Sequence, residues 1–218
     1  MDNPKKIAVI LAGCGVYDGA EIHEATLTLY EIMRQSASYE IFAPNVKQAQ
    51  VINHITGEEM PEERNVLVES ARIARGAIKN LQEYSPSHFD ALMLPGGFGA
   101  AKNLSTFAFD GAGLNVNPDV EKALKDTVDA KKPIGALCIA PVILAKIFPN
   151  INLTIGQDQG TAEAVVKLGA VHHNSDHGEV VVDKNYKVAT TPCYMLDANI
   201  LQIADGARNI VKKVLEMI

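Results

Sequence analysis

Apolar residues fall along this chain in short continuous runs, and between the runs they recur at helical spacing. Lys5-Lys6-Ile7-Ala8-Val9-Ile10-Leu11-Ala12 is closed by Gly13-Cys14-Gly15, and so continuous a run predicts a central parallel strand buried on both faces. Ile22, Leu27, Leu29, Ile32 and Met33 then mark a helix over residues 20–35, and residues 39–43, ended by Pro44, predict the next strand. Together these form a β-α-β unit. Residues 51–54 with Thr56-Gly57-Glu58 predict a small strand or hairpin excursion. A helix is expected over residues 66–81, with Leu67, Ile73 and Ile78 inward and Arg72, Arg75 and Lys79 outward. Residues 89–94 predict a buried strand that ends at Pro95-Gly96-Gly97-Phe98-Gly99. Residues 100–117 show too few periodic apolar positions for an element and are expected to be a long loop of the functional kind.

The second half repeats the alternation. Pro118, in the first turn, opens a helix that runs to about Lys131-Lys132. A strand at 134–137 and a helix over 139–147 follow, then a short strand at 153–155 and a short helix over 161–168 stopped by Gly169. Residues 180–182 and 187–190 predict a hairpin, and residues 197–217 a long closing amphipathic helix. Repeated strand–helix alternation predicts an α/β fold with helices on both sheet faces. No internal repeat or linker divides it, so residues 1–218 are expected to form a single domain.

Composition narrows the class. The 218 residues suffice for a substantial core without staples, and 47% hydrophobic with 21% charged residues is ordinary globular usage. A net charge of −6 argues against a nucleic-acid or anionic-membrane partner. No apolar run approaches the roughly 20 residues that span a bilayer, and the N-terminus leads straight into a strand, so no signal peptide is expected. Three widely spaced cysteines make neither a disulfide framework nor a zinc pattern. A reduced, cytoplasmic protein without metal or cofactor is the expectation.

Doubly wound sheets build sites outside the carboxyl ends of their strands. Three segments should meet there: residues 13–24, residues 95–99, and Cys138 with Ile139. Cys138 lies where an apolar strand turns into a helix, a bend that presents a thiol to the N–H groups of the next helix and lowers its pKa. The segment alone fits a small buried hydrophobe equally well. Gly96-Gly97 lets backbone N–H groups approach a ligand, and the N–H groups of Gly97 and Ile139 make a candidate oxyanion hole. Taken alone, Pro-Gly-Gly is more often an ordinary tight turn. Glu21 and Glu24 open the first helix, where surface carboxylates that complement the dipole are common. A Glu24 buried beside Cys138 would instead have a raised pKa and be suited to share a proton with the sulfur. His23 is a further candidate within reach, although a lone helical histidine is more often a surface residue.

Gly19-Ala20-Glu21-Ile22-His23-Glu24, Leu94-Pro95-Gly96-Gly97-Phe98-Gly99-Ala100-Ala101-Lys102-Asn103-Leu104-Ser105 and Gly135-Ala136-Leu137-Cys138-Ile139-Ala140-Pro141 together resemble the ElbB-type proteins. These are also called enhancing lycopene biosynthesis or sigma cross-reacting proteins, in the PfpI-like branch of the class I glutamine amidotransferase-like superfamily. The resemblance covers essentially the whole chain, through Thr190-Thr191-Pro192, and the segment from Phe98 to Asn117 is its most specific part. It implies a flavodoxin-like sheet, a homodimer as the usual assembly, Cys138 as nucleophile and Glu24 as the acid at the sulfur. The activity it implies is glyoxalase-type, converting glyoxal to glycolate without glutathione or metal. Related proteins are also described as deglycases.

The departures from the wider superfamily also inform the reading. No late His-x-Glu pair accompanies Thr190-Thr191-Pro192-Cys193, and Ile139 stands where PfpI-type peptidases have histidine, so neither amidotransfer nor proteolysis is expected. Ala136 and Ala140 replace the usual glycines of a hydrolase elbow. His172, His173 and His177 are candidates for a third residue by type only. Two functions follow: a cofactor-free glyoxalase acting on a small reactive aldehyde, or a redox-sensing or regulatory protein, isoprenoid-associated, whose exposed thiol oxidises readily.

Overall fold

The structure is a computed structural model describing residues 4–218. Its first half runs β1 (Lys6–Ile10), α1 (Ile22–Arg34), β2 (Ser38–Ala43), α2 (Val66–Ile73), β3 (Ile78–Asn80), β4 (Ala91–Leu94), α3 (Phe98–Lys102) and α4 (Phe107–Asp110). The second half adds α5 (Pro118–Asp129), β5 (Ile134–Leu137), α6 (Pro141–Ile147), β6 (Asn152–Leu153), α7 (Gln159–Lys167), β7 (Val171–His172), β8 (Val181–Asp183), β9 (Val188–Thr191) and α8 (Ile200–Glu216).

Seven strands form one sheet in the order β3-β2-β1-β4-β5-β9-β8, while β6 and β7 pair separately. All neighbours in the large sheet are parallel except β8 on β9, which is the expected hairpin. The α/β expectation therefore holds. In β1 the period of two sends Ile7 and Val9 to one core, with α1 and α8, and Ala8 and Ile10 to the other, with α5 and α6. That is why the run is apolar at consecutive positions. Among the described residues no helix is long and apolar enough to cross a membrane.

Four expectations are corrected. The helix expected to reach residue 81 stops at Ile73, because Arg75 (φ 53°) and Gly76 (φ 81°) turn the chain through the left-handed region. Ile78 then enters edge strand β3 opposite Ile41. The segment expected to be an open loop holds α3, α4 and a 3₁₀ turn at Gly111–Gly113, closed by a bridge between Ser105 and Val116. Its helices are of five and four residues, too short to show a period. The helix after Cys138 begins at Pro141 rather than at 139. That expected from residue 161 begins at Gln159, where the Asp158 side chain caps it. The excursion at 51–58 is a hairpin-like bridge between Ile52 and Glu59.

One glycine fixes how closely α8 approaches the strand that carries the cysteine. A Cβ on Gly135 in β5 would lie 2.9 Å from Val214 of α8 and 3.0 Å from Met93 of β4. Gly135→Val is expected to destabilise the protein by about 1–3 kcal/mol. Gly113→Ala, whose added Cβ would approach nothing closer than Asp110 at 4.0 Å, should shift stability by less than about 0.5 kcal/mol. Urea denaturation of the two variants checks both values.

Candidate active site

β1, β4, β5 and β9 end side by side, and the loops that leave them build one site. The loop after β1 folds back on itself, with the Gly15 N–H donating to Ala20 O at 2.9 Å and the Gly19 N–H to Gly15 O at 2.7 Å. It is then stitched to the β4 exit: the Glu21 N–H donates to Gly96 O (2.9 Å), Phe98 N–H to Val16 O (2.8 Å) and Gly99 N–H to Gly19 O (2.8 Å). Buried Asn103 locks the same loop from α3, its Nδ2 donating to Ala12 O and Asp18 O, each at 2.8 Å. The segment from Phe98 onward is thus a brace for the site.

This bracing sets the start of α1. The Glu21 carboxylate caps the helix by accepting the Glu24 N–H at 2.7 Å, and it is buried, contrary to the surface role common for a glutamate there. Glu24 is 0% exposed. Its Oε2 accepts the Gly96 N–H at 3.0 Å and its Oε1 the Tyr194 N–H at 3.1 Å, and its carboxyl lies beside the Cys138 thiol. Burial pushes the Glu24 acid up to about 8, aided by neighbouring Glu21 and opposed by the two N–H donors and the thiol. The raised carboxylic acid matches the expectation from sequence.

Cys138 sits at φ 59° immediately after β5, its N–H donating to Thr191 O at 2.9 Å. Left-handed backbone at a non-glycine residue is strained, and here it sets the sulfur beside the Gly97 and Ile139 N–H groups, which favour the thiolate. The two glycines serve different ends. A Cβ on Gly96 would clash with the Cys138 Cβ and lie 2.6 Å from Glu24 Oε2, while Gly97 (φ 97°) takes a conformation few other residues adopt, with its missing Cβ leaving room for Gly19 O. The thiol's titration departs from expectation. Cys138 is only 7% exposed, and burial, with Glu24 beside it, pushes the thiol well up, outweighing the two N–H donors. The bend alone suggested the opposite direction, because sequence reveals the donors but not the desolvation.

The sulfur opens into a cavity of about 390 Å³ lined by residues including Glu21, Gly97, Phe98, Phe107, Ile139, Asp158 and Tyr194. Of the residues singled out from sequence, Cys138, Gly97 and Ile139 line the cavity, while Glu24 is fully buried and lies with Cys138 around Gly96. His23 is exposed and reaches only the Tyr194 hydroxyl, with Nδ1 2.8 Å from it. His172 and His173 lie at β7, contacting the Ile155 N–H and Asn152 Oδ1, and neither these nor His177 lines the cavity. Sequence reasoning missed the Tyr194 N–H. Its signal was positional: β9 pairs parallel with β5, so the chain leaving β9 must reach the same edge, and Cys193 (φ 43°) turns it there. Among the described residues no group of three or more His, Cys, Asp or Glu is placed to hold a metal ion.

The DJ-1/PfpI family model matches residues 5–201. The chain is 51% identical over 222 residues to the rat (Rattus norvegicus) ES1 protein homolog, mitochondrial, covering 97% of this chain and 84% of that protein. It is 49% identical to human (Homo sapiens) glutamine amidotransferase-like class 1 domain-containing protein 3, mitochondrial, over 97% of this chain and 83% of that one. Among solved structures, an isoprenoid biosynthesis protein with amidotransferase-like domain from Ehrlichia chaffeensis superposes with a TM-score of 0.91 at 35% identity, covering 98% of this chain and all of that one (100%). Drosophila melanogaster DJ-1beta, at 18% identity and TM-score 0.56 over 99% of this chain and 98% of its own, shares the fold. Over nearly its whole length, and with the seven-stranded sheet of the class I glutamine amidotransferase-like fold, this chain belongs to the DJ-1/PfpI family.

Proposed function

We propose that the protein is a cofactor-free glyoxalase-type enzyme, a single catalytic domain over residues 1–218 that converts glyoxal to glycolate through Cys138. The observation that carries this reading is a cavity-lining Cys138 thiol set beside the fully buried carboxyl of Glu24, with the Gly97 and Ile139 N–H groups next to the sulfur. In the proposed reaction Cys138 Sγ bonds to one aldehyde carbon while its proton passes to the Glu24 carboxylate. The former carbonyl oxygen becomes an oxyanion accepting from the Gly97 and Ile139 N–H groups, and Glu24 returns the proton to it. Glu24 then takes the proton of the sulfur-bearing carbon as the neighbouring carbonyl oxygen gains a proton, giving an enediol, and delivers the proton to the neighbouring carbon as the hydroxyl beside the sulfur loses its own, leaving a glycolyl thioester. Water hydrolyses the thioester to glycolate and regenerates the thiol. Covalent catalysis, a tuned carboxyl and paired N–H donors each have a physical warrant, and one oxyanion donor typically contributes about 3 kcal/mol.

The redox-sensing alternative rests on an exposed, acidified thiol. Cys138 is instead 7% exposed and its thiol is held up by burial, which disfavours the thiolate that peroxide attacks. A cytoplasmic location and a homodimer remain part of the proposal. Free Cys14, Cys138 and Cys193 suit a reducing compartment, while the rat and human relatives are named as mitochondrial.

Cys138→Ser is expected to reduce glycolate formation to background, and Glu24→Gln to lower it by about 10²–10⁴-fold. Unchanged glyoxal turnover in purified Cys138→Ser ends the proposal. The pH profile carries a sign. Below about 8 Glu24 holds its proton and cannot take one from the thiol, so kcat/KM should climb about tenfold per pH unit up to that point and then level. In Glu24→Gln the rising limb set by this group should disappear.

A further inference from the structure

Two consecutive residues of α1 hold Tyr194, one by its main chain and one by its side chain. The Tyr194 N–H donates to Glu24 Oε1 at 3.1 Å, and the Tyr194 hydroxyl lies 2.8 Å from His23 Nδ1. Neighbouring side chains on a helix diverge by about 100°. Glu24 therefore turns inward, fully buried, while exposed His23 meets the tyrosine hydroxyl outside. A neutral His23 accepts the hydroxyl proton at Nδ1, and a protonated one donates its own N–H to the same oxygen, so the link holds in either charge state of the ring. Tyr194 belongs to the short 3₁₀ turn Cys193–Met195 beyond β9. Within it the Met195 N–H donates to Pro192 O (2.9 Å) and the Leu196 N–H to Cys193 O (3.2 Å), bonds that shape the turn without tying it to another element. Buried Cys193 faces α8, where a Cβ on Gly206 would lie 3.1 Å from its sulfur. Toward α1, among the described residues, the turn has only the two hydrogen bonds of Tyr194.

The state of the acid rests on this turn. The ionisable groups beside Glu24 are Glu21 on its own segment, Cys138 beyond β5, and Cys193 and Tyr194 beyond β9, and none of them is a cation. Its carboxylate is favoured by hydrogen bonding instead, and the Tyr194 N–H outweighs both the Cys138 thiol and the Gly96 N–H in drawing the acid down against burial. We propose that His23 is a positioning residue: by holding the Tyr194 hydroxyl, it keeps the N–H of the same residue seated on the Glu24 carboxyl. Without this outer grip the turn is free to move off α1, the carboxylate loses its strongest donor, and Glu24 keeps its proton to higher pH. The consequence for turnover rests on the glyoxalase reading, whereas the hold on the acid does not.

Carbon-13 NMR of the glutamate-labelled intact protein reads the acid directly, the Glu24 carboxyl signal being the one absent from Glu24→Gln. His23→Ala and Tyr194→Phe should each raise its titration midpoint by about one pH unit, the size expected when a carboxylate loses one N–H donor. Because both act through one contact, the double variant should shift no further than either single one. His23→Asn, whose amide stands near the position of Nδ1, should restore the midpoint. If Glu24 is the base of a glyoxalase, the rising limb of kcat/KM should move with the NMR midpoint in each variant. Shifted midpoints without any glyoxal turnover would support the role of His23 and overturn the glyoxalase reading. A midpoint unchanged in both single variants, additive shifts in the double variant, or a shift in His23→Asn as large as that in His23→Ala would overturn the role of His23.

Discussion

Everything at the sheet edge depends on the carboxyl of Glu24 being held out of water by N–H donors from two loops distant in sequence. Gly96 brings the exit of β4 to one oxygen, and Tyr194 brings the exit of β9 to the other. The thiol at the exit of β5 completes the enclosure. A buried carboxyl without partners would cost several kcal/mol, so these hydrogen bonds fix where three strand ends lie with respect to α1. The glycines follow from the same requirement: side chains at 96 and 97 would occupy the space that the acid, the sulfur and the loop after β1 fill.

Much of this was legible in the residues. A consecutive apolar run at 7–12 can only be a strand covered on both faces, and it is. Pro95-Gly96-Gly97 and the bend at Cys138 were visible as places where backbone must come close to something. What lay hidden has physical causes. The short helices of the 98–117 segment are held by long-range bonds such as those of Asn103, not by a periodic apolar stripe. The early end of α2 depends on a left-handed Arg75 that composition does not announce, although Gly76 beside it was a cue. Tyr194 acts through its main chain, which carries no residue-type signal. The direction in which the thiol shifts depends on desolvation, a property of the packed site rather than of the turn.

The family comparisons and the geometry bear on different questions. Similarity over nearly the whole chain settles ancestry and fold, and a family that hosts varied chemistry on one scaffold leaves reaction and substrate to be read from the site. Here Cys138 and its neighbours Gly97 and Ile139 share one cavity with residues of α3, α4 and the chain beyond β9.

The elevated acidity constant of Glu24 also has a thermodynamic side. With the folded value near 8 and the ordinary value of 4.5 for a glutamate in the unfolded chain, the native state binds a proton that the unfolded state has released. Folding is thus coupled to proton uptake between those limits. The contribution of this group to stability is complete below about pH 4.5 and is lost progressively as pH rises through 8. Under the proposed reaction, the alkaline conditions that free the carboxylate to act as a base are the same ones that loosen the fold around it, so reactivity and conformational stability would draw on a single ionisation in opposite senses.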